Sequence, residues 1–425
     1  MAEQVLLFNR KPDRALTLDE YRAQGGYEAL IETLQKRTPE EVQKAVLDSN
    51  LKGRGGAWYP TGRKWSFIGK AHPRYIVPNT DEMEPGTFKD RVLVNVNPHL
   101  VLEGIILAAY AISAVRGISF IRPSYEMDAQ IIERELAVAR EAGFLGKNIL
   151  GSDFSFDHEV HRSAGRYICG EASAQVNAIM GKRPHPSKEV HMAETGVWGK
   201  PTIINNVETL ACVPHILRQG PEWFRGLSRS PGDGGTKLFC VSGRVSRPGC
   251  YELPMGTPFS EILEEAGGMS PGSELKAYLP GGASTSFMPT KYYDLPMDTD
   301  SYKKTGHPLG TGAIIVFDER TCLVGATLNM IEYFARESCG FCTPCREGLP
   351  YMRDLLQRLE VGEGKEEFIP MLNQMARHMD NAYCALAPGA AAPVLGLLRY
   401  FEDEVREHIS QRQCPCPCEP VLPGS

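Results

Sequence analysis

Apolar residues recur along this chain with a spacing that changes from segment to segment, and each change predicts a different element. Near the start, Thr17 stands three residues before Glu20 and Thr38 three before Glu41, with Pro39 at the first helical position. Both patterns predict helix N-termini. From residue 74 onward short apolar runs alternate with longer amphipathic ones. The spacing predicts strands over 74–79 and 118–122 and helices over 98–112 and 125–142. Such alternation implies an α/β domain on a largely parallel sheet.

The texture changes at Pro231-Gly232-Asp233-Gly234-Gly235, which reads as a linker. Beyond it, short strands over 237–242, 250–253, 277–279 and 313–317 surround one helix at 258–266, as in a small α+β module. From Thr321 the period is helical, with Val324, Leu328, Ile331 and Phe334 on one face. The chain is expected to divide into a helical and glycine-rich segment (1–73), an α/β domain (74–230), the α+β module (236–318), a helical bundle (321–410) and a Pro-rich, disordered tail (411–425).

Bulk properties narrow the function. The chain has 425 residues, 42% hydrophobic and 23% charged, an ordinary composition for a protein with packed cores. A net charge of −6 leaves no basic footprint for nucleic acid or anionic lipid. The most apolar stretch, 101–115, is too short to span a bilayer and carries Glu103. The opening apolar run breaks after Phe8, so no signal peptide is expected. Twelve cysteines then point to a reducing, cytoplasmic setting and to metal ligation, with any membrane contact made through partners.

The cysteine spacing carries chemistry. In Cys339-Gly340-Phe341-Cys342-Thr343-Pro344-Cys345, three thiols at two-residue intervals cannot all pair with one another as disulfides. They suit an iron–sulfur cluster whose fourth ligand is remote, and Cys384 supplies a thiol further on. Structural zinc is the alternative, although it usually takes two separated Cys-x2-Cys knuckles. A cluster moves one electron at a time, so the chain reads as redox machinery.

A second informative stretch runs from Lys52-Gly53-Arg54-Gly55-Gly56 to Gly62-Arg63-Lys64-Trp65. Closely spaced glycines let backbone N–H groups approach a phosphate, and the basic residues add charge. After the strand at 74–79 come Asn79, Asp81, Glu82 and Glu84, where open α/β sheets bind ligands. Carboxylates there suit a ring's amide edge or ribose hydroxyls. Two further stretches, Gly165 to Glu171 and Ile203 to Thr209 with its paired amides Asn205-Asn206, turn from strand to helix.

Other residues read as structural. Cys169, Cys212, Cys240, Cys250 and Cys322 sit singly on apolar segments and are expected as small buried side chains. His185, His191 and His307 fall in loops as surface polar groups. Cys414, Cys416 and Cys418 alternate with prolines; metal binding is one reading and a floppy tail the other, which the composition favours. No hydrolase-type triad or carboxylate pair stands out.

Together these pieces resemble a known family. GRGGA, PTGRKW, DEMEPGTFKDR, GRYICGE, WGKPTIINNVETL, SGRVSRPG and ESCGFCTPCREG occur in order between about residues 17 and 410. That series is similar to the flavin-binding, NADH-oxidising subunit of respiratory complex I, the F-subunit family of the NADH-quinone oxidoreductases. Relatives occur in NAD-linked hydrogenases and formate dehydrogenases. The resemblance implies a Rossmann-like FMN domain, a ubiquitin-like β-grasp domain and a C-terminal helical bundle carrying a [4Fe–4S] cluster.

By the same resemblance, Gly53, Arg54, Gly55 and Lys64 would meet the FMN phosphate. Asn79, Asp81, Glu82, Tyr167, Gly170, Glu171, Asn205 and Asn206 would line the flavin. NAD(H), the substrate, would contact Gly56, Tyr59, Phe67 and Glu84, and Cys339, Cys342, Cys345 and Cys384 would hold the cluster. NADH would pass hydride to flavin with no catalytic side chain, and single electrons would leave through the cluster. The implied partners are a thioredoxin-like [2Fe–2S] subunit and a larger iron–sulfur subunit, placing the chain in the cytoplasm beside the inner membrane. The β-grasp domain and the bundle are expected to act in docking.

The chain also departs from the family pattern. Trp58 replaces a glycine, which adds roughly a hundred Å² or more of side chain near the nucleotide groove. Ala172 stands where the family carries a second carboxylate after Glu171. Arg122-Pro123-Ser124-Tyr125 and Glu189-Val190-His191-Met192 differ too. These changes leave open NADPH use, or a nucleotide-free relay protein that takes its electrons from a partner.

Overall fold

Both N-terminal Thr–Glu pairs close as reciprocal capping boxes. The Thr17 hydroxyl accepts from the Glu20 N–H while the Glu20 carboxylate accepts from the Thr17 N–H, opening helix Leu18–Arg22. Thr38 and Glu41 do the same for Pro39–Asp48. The computed structural model describes residues 4–11, 14–187 and 191–416.

Strands β1 (Tyr75–Thr80), β2 (Arg116–Ile121), β3 (Asp157–Arg162) and β4 (Thr202–Asn206) form one parallel sheet in the order β3-β2-β1-β4. The chain leaves β1 toward β2 and β3, then returns to place β4 on the other side of β1. The gap between the carboxyl ends of β1 and β4 is therefore the switch point where such sheets take ligands.

Helix Pro98–Ala111 crosses behind this sheet with every residue but Tyr110 buried. Gly104 on it lies so close to the neighbouring backbone that a Cβ would collide with the Leu210 carbonyl oxygen. Its one carboxylate, Glu103, accepts from the Tyr21 hydroxyl (2.5 Å) and the N–H groups of Tyr27 and Leu30, which compensates its burial. Among the described residues no single helix is long and apolar enough to cross a membrane. The bent pair Lys89–Val96 and Pro98–Ala111, at 102°, passes by length and composition only.

The N-terminal segment does not stand apart. Leu30, Val42, Val46 and Trp65 share one core with Leu93, Ile105 and Leu210 of the α/β domain. The N–H groups of Val5, Leu6 and Leu7 converge on the Glu252 carboxylate in the next domain.

That next domain holds β5 (Thr236–Gly243), β6 (Gly249–Pro254), β7 (Leu275–Leu279), β8 (Met288–Pro289) and β9 (Ala313–Asp318). Its order is β6-β5-β9-β7-β8, with β5 and β9 parallel at the centre and the other pairs antiparallel. Helix Phe259–Glu265 packs Phe259, Ile262 and Leu263 onto it, which makes a β-grasp domain. The glycine run before β5 is pinned: Arg54 donates to the carbonyls of Gly234 (2.6 Å) and Thr236 (3.1 Å).

The helices Leu323–Glu337, Thr343–Glu360, Phe368–His378, Leu386–Tyr400 and Glu402–Gln411 form the bundle. Val324, Ile331 and Phe334 bury against Leu349, Leu356 and Val394, and this core continues to Val77, Phe120 and Ile204 of the first sheet. Disorder expected from residue 411 does not hold for 411–416. Gln411 closes the last helix, and Cys414 and Cys416 are half-buried against the bundle. Cys418, Glu189 and Val190 lie outside the described residues.

Candidate functional site

A cavity of about 1160 Å³ opens at the switch point. Asn79, Asp81 and Glu82 reach it from the end of β1, Asn206 from β4, and Gly55 and Gly56 from the glycine-rich loop. An antiparallel bridge between Lys52 and Pro60 and a bond from the Gly53 N–H to the Tyr59 carbonyl (2.9 Å) close that loop. Gly56 has φ +106°, a conformation side chains rarely adopt.

The acidic wall is buried and unevenly compensated. Glu82 accepts from the Asp90 N–H at 2.9 Å, and the segment at 122–125 buttresses it, with Arg122 donating to its carbonyl (2.7 Å) and Tyr125 to its carboxylate (3.3 Å). Burial and the nearby Asp90 charge raise its pKa. Asp81 is different: neither carboxylate oxygen has a hydrogen-bond partner of ordinary geometry. Burial pushes its pKa up to about 7, against the opposing pull of Ser163 and Arg122. Glu84 accepts from the Tyr167 hydroxyl (2.6 Å) and the Ser284 N–H (2.7 Å), and burial pushes it up to about 6.

Lys89 lines the same cavity, a residue to which the sequence assigns no role. Its ammonium meets Asp90 (2.7 Å), Glu208 (3.0 Å) and Asn206 (3.2 Å). Burial works against the charge, but the carboxylates of Asp90, Glu208 and Glu82 hold it protonated. Its neighbour Asn206 also donates to Asp90 at 2.6 Å. Asn205 turns away and accepts the Trp65 indole N–H (2.9 Å).

Two expected phosphate residues stand behind the loop rather than on the cavity wall. Lys64 donates to the Ile204 carbonyl, and burial with no carboxylate offsetting it pushes its pKa down to about 8. Arg54 is fully buried; one nitrogen serves Gly234 and Thr236, while Nε and Nη1 have no partner. Buried donors without acceptors are costly, and an anion would relieve both.

Trp58 turns away from the cavity. Its backbone has φ +55°, its indole donates to the Gly310 carbonyl at 2.8 Å, and its ring packs on the β-grasp core. Tyr59 and Phe67 are 44% and 53% exposed and do not line the cavity. Glu171 caps helix Ala172–Ile179, accepting from the Ala174 N–H at 2.9 Å. The far wall comes from domains expected only to dock: Thr285, His307 and Thr311 from the β-grasp domain, Arg377 and Arg399 from the bundle.

Beside this cavity lies a second, small one lined by Cys339, Cys342, Cys345 and Cys384 together. A tetrahedral zinc would draw its sulfurs to about 3.8 Å of one another. Among the described residues, the donor groups that close within 4.8 Å do not include these four, so they do not stand at the spacing of a single zinc ion. Burial pushes the Cys345 and Cys384 thiols up to about 11. Ile168, Cys384 and Leu386 line both cavities, so a single wall separates them.

The residues fit a flavin as well. Gly170 faces the larger cavity and a Cβ there would meet no protein atom within 4 Å, so it keeps that space clear for a flat ring. Asp81 offers acceptors without donors, and Arg54 donors without acceptors.

Fold, cavity and thiol set together define a flavin-binding iron–sulfur protein. Residues 46–215 match the Nuo51 FMN-binding domain, 325–408 the NADH-ubiquinone oxidoreductase-F iron-sulfur binding region, and 238–287 the SLBB domain. The chain is 46% identical over 422 residues to the second F subunit of the NADH-quinone oxidoreductase of Rhizobium meliloti, covering 98% of this chain and 100% of that protein. It is 47% identical over 409 residues to the F subunit of the NADH-quinone oxidoreductase of Escherichia coli, covering 95% and 92%. A crystal structure of an NAD+-reducing [NiFe]-hydrogenase in the H2-reduced state matches with a TM-score of 0.82 at 32% identity, covering 95% of this chain and 68% of that one. The chain belongs to the F-subunit family of the NADH-quinone oxidoreductases.

Proposed function

We propose that this chain is the electron-input subunit of a multisubunit NADH-quinone oxidoreductase, with FMN in the large cavity and a [4Fe–4S] cluster on Cys339, Cys342, Cys345 and Cys384. The observation that carries this reading is the shared wall of Ile168, Cys384 and Leu386. It sets a candidate cluster ligand directly against the flavin cavity.

Bound there, the flavin supplies the conversion from a hydride pair to single electrons, which no side chain in the cavity offers. The protein binds and orients. The loop of Gly53 and Gly55 holds the phosphate, with Arg54 and Lys64 adding charge from behind it; Asn79, Asp81, Glu82, Asn206, Tyr167, Gly170 and Glu171 wall the ring, with Asn205 fixed behind them by Trp65. Gly56 and Glu84 border the nucleotide side, and the exposed rings of Tyr59 and Phe67 offer stacking faces to NADH. The outward turn of Trp58 leaves that side open.

Electrons leave through the cluster to a larger iron–sulfur subunit at the cytoplasmic face of the membrane, and a thioredoxin-like [2Fe–2S] subunit packs against the chain. Phe341, 47% exposed between two cluster ligands and stacked on His185 at 4.9 Å, marks the exit face.

The test is anaerobic titration of the holoprotein. NADH is expected to bleach flavin absorbance and then iron–sulfur absorbance, with NADPH much slower. Flavin that stays oxidised under excess NADH overturns the reading in favour of a nucleotide-free relay. Equal rates with the two nucleotides would instead make Ala172 the mark of relaxed selectivity.

A further inference from the structure

The tail cysteines, which composition assigns to a floppy end, meet a buried group at the opposite end of the bundle from the cluster ligands' loop. Cys322 sits at the N-cap of helix Leu323–Glu337, and its sulfur accepts from the Gly325 N–H at 3.2 Å. The sulfur stands 3.0 Å from Glu360 Oε1, the last residue of helix Thr343–Glu360, and 3.3 Å from His408 Nε2 on helix Glu402–Gln411. His408 Nε2 and Glu360 Oε1 are 3.3 Å apart. With the Cys414 sulfur, one donor atom from each of the four residues lies within 4.8 Å of the others.

The histidine is oriented for ligation. Its Nδ1 lies 2.8 Å from the Glu404 carbonyl oxygen, which can only accept, so Nδ1 carries the hydrogen. In the neutral ring Nε2 then presents its lone pair to Cys322 and Glu360. A carbonyl on the far ring nitrogen is the usual support of a metal-binding histidine. Cys322 and His408 are almost wholly buried.

We propose that Cys322, Glu360, His408 and Cys414 bind one structural zinc-type divalent cation that fastens the C-terminal tail to the bundle. Two thiolates, an imidazole and a carboxylate are a zinc donor set, and four protein ligands leave no open position for catalysis. Metal–ligand lengths of about 2.0–2.3 Å put tetrahedral donors about 3.3–3.8 Å apart, so the three separations among Cys322, Glu360 and His408 need only slight spreading and the Cys414 sulfur lies within reach. Glu404 is already engaged by the Leu323 N–H (2.6 Å) and Lys276 (2.8 Å), which leaves Cys416 beside the site rather than in it. The tail is seated independently of the thiols. Gly362 (φ +79°) lies against residue 412, where a Cβ would collide with the Arg412 carbonyl oxygen. The cation would join both ends of the bundle's first hairpin to the last helix and the tail.

The site is independent of the flavin reading, and its test reads metal content. Full-length holoprotein from zinc-supplemented cells is assayed for zinc and iron by atomic emission. The wild type is expected to hold one zinc per chain. Cys414→Ser and Cys322→Ser are expected to lose it with iron and visible absorbance unchanged, while Cys416→Ser keeps it. Cys414→Ser changes only a tail residue, so folding is not at stake, and a chelator should lower the melting temperature of the wild type and of Cys416→Ser but not of Cys414→Ser. Zinc-free wild type, undiminished zinc in Cys414→Ser, iron lost together with the zinc, or a Cys322–Cys414 disulfide in the mass spectrum would each overturn the proposal.

Discussion

The indole N–H of Trp58 donates to the carbonyl of Gly310 at 2.8 Å and so ties the glycine-rich loop to the β-grasp domain. The Arg54 guanidinium sits 5.3 Å from the ring centroid on the same side. The backbone at 58 is in the left-handed region that glycine adopts freely, so the tryptophan bears some strain in return for this anchorage. Trp58→Gly is expected to destabilise the protein by about 1–2 kcal/mol, since the lost bond and packing outweigh the relieved strain. Its apparent KM for NADH should stay within about a factor of two, as for a side chain outside the site. A tenfold change in KM would show that the indole meets the nucleotide.

Asp81 predicts a pH dependence. Its folded pKa, about 7, lies above the ordinary value of 3.8 because burial disfavours the charge. Between those values the folded form holds a proton that the unfolded form has lost, so its contribution to stability falls as pH rises from about 4 to about 7. In flavin-free protein at about pH 8, Asp81→Asn should raise the urea midpoint and flatten the fall with pH. The same change should weaken FMN binding about tenfold or more if donors of the ring bind this carboxylate. Unaltered FMN affinity would remove Asp81 from the flavin wall.

Lys89 holds a buried charge balance. It lies between Asp90 and Glu208, and Glu208 also takes Lys237 at 2.8 Å. Lys89→Met should cost about 3–5 kcal/mol, because Asp90 would keep no cation at its side. Flavin content after gel filtration should fall with it, and a denaturation midpoint close to wild type would refute the assignment.

Glu84 links the α/β domain to the β-grasp domain by accepting from the Ser284 N–H, and Tyr167 of its own domain donates to the same carboxylate. A double-mutant cycle with Tyr167→Phe and Glu84→Gln should give a coupling of about 1–3 kcal/mol. Additive losses would mean that the Tyr167–Glu84 bond contributes nothing to stability.

The site was legible in the sequence where chemistry sits on consecutive residues. The capping boxes at 17–20 and 38–41 formed because both partners lie within one turn. Cys339, Cys342 and Cys345 announce themselves by spacing, and Asp81 by following a strand. Alternation announced the parallel sheet, whereas its strand order, and with it the switch point, came only from the tertiary structure. Residues that come from remote segments stayed hidden. Lys89 stands inside a motif whose carboxylates carry the stronger signal, and Thr311 and Arg377 come from domains with no local signal of their own.

Local order in the chain thus determined the kinds of element, the parallel sheet, the small α+β module and the thiol set, because period, capping and short spacing act within a few residues. Only the tertiary structure decided where long side chains point. One backbone torsion sends Trp58 into the β-grasp domain and not the cavity. Chain reversal brings Cys414 onto Cys322 from the far side of the whole bundle sequence. Both outcomes depend on which surfaces are buried together, a property of packing that no local pattern encodes.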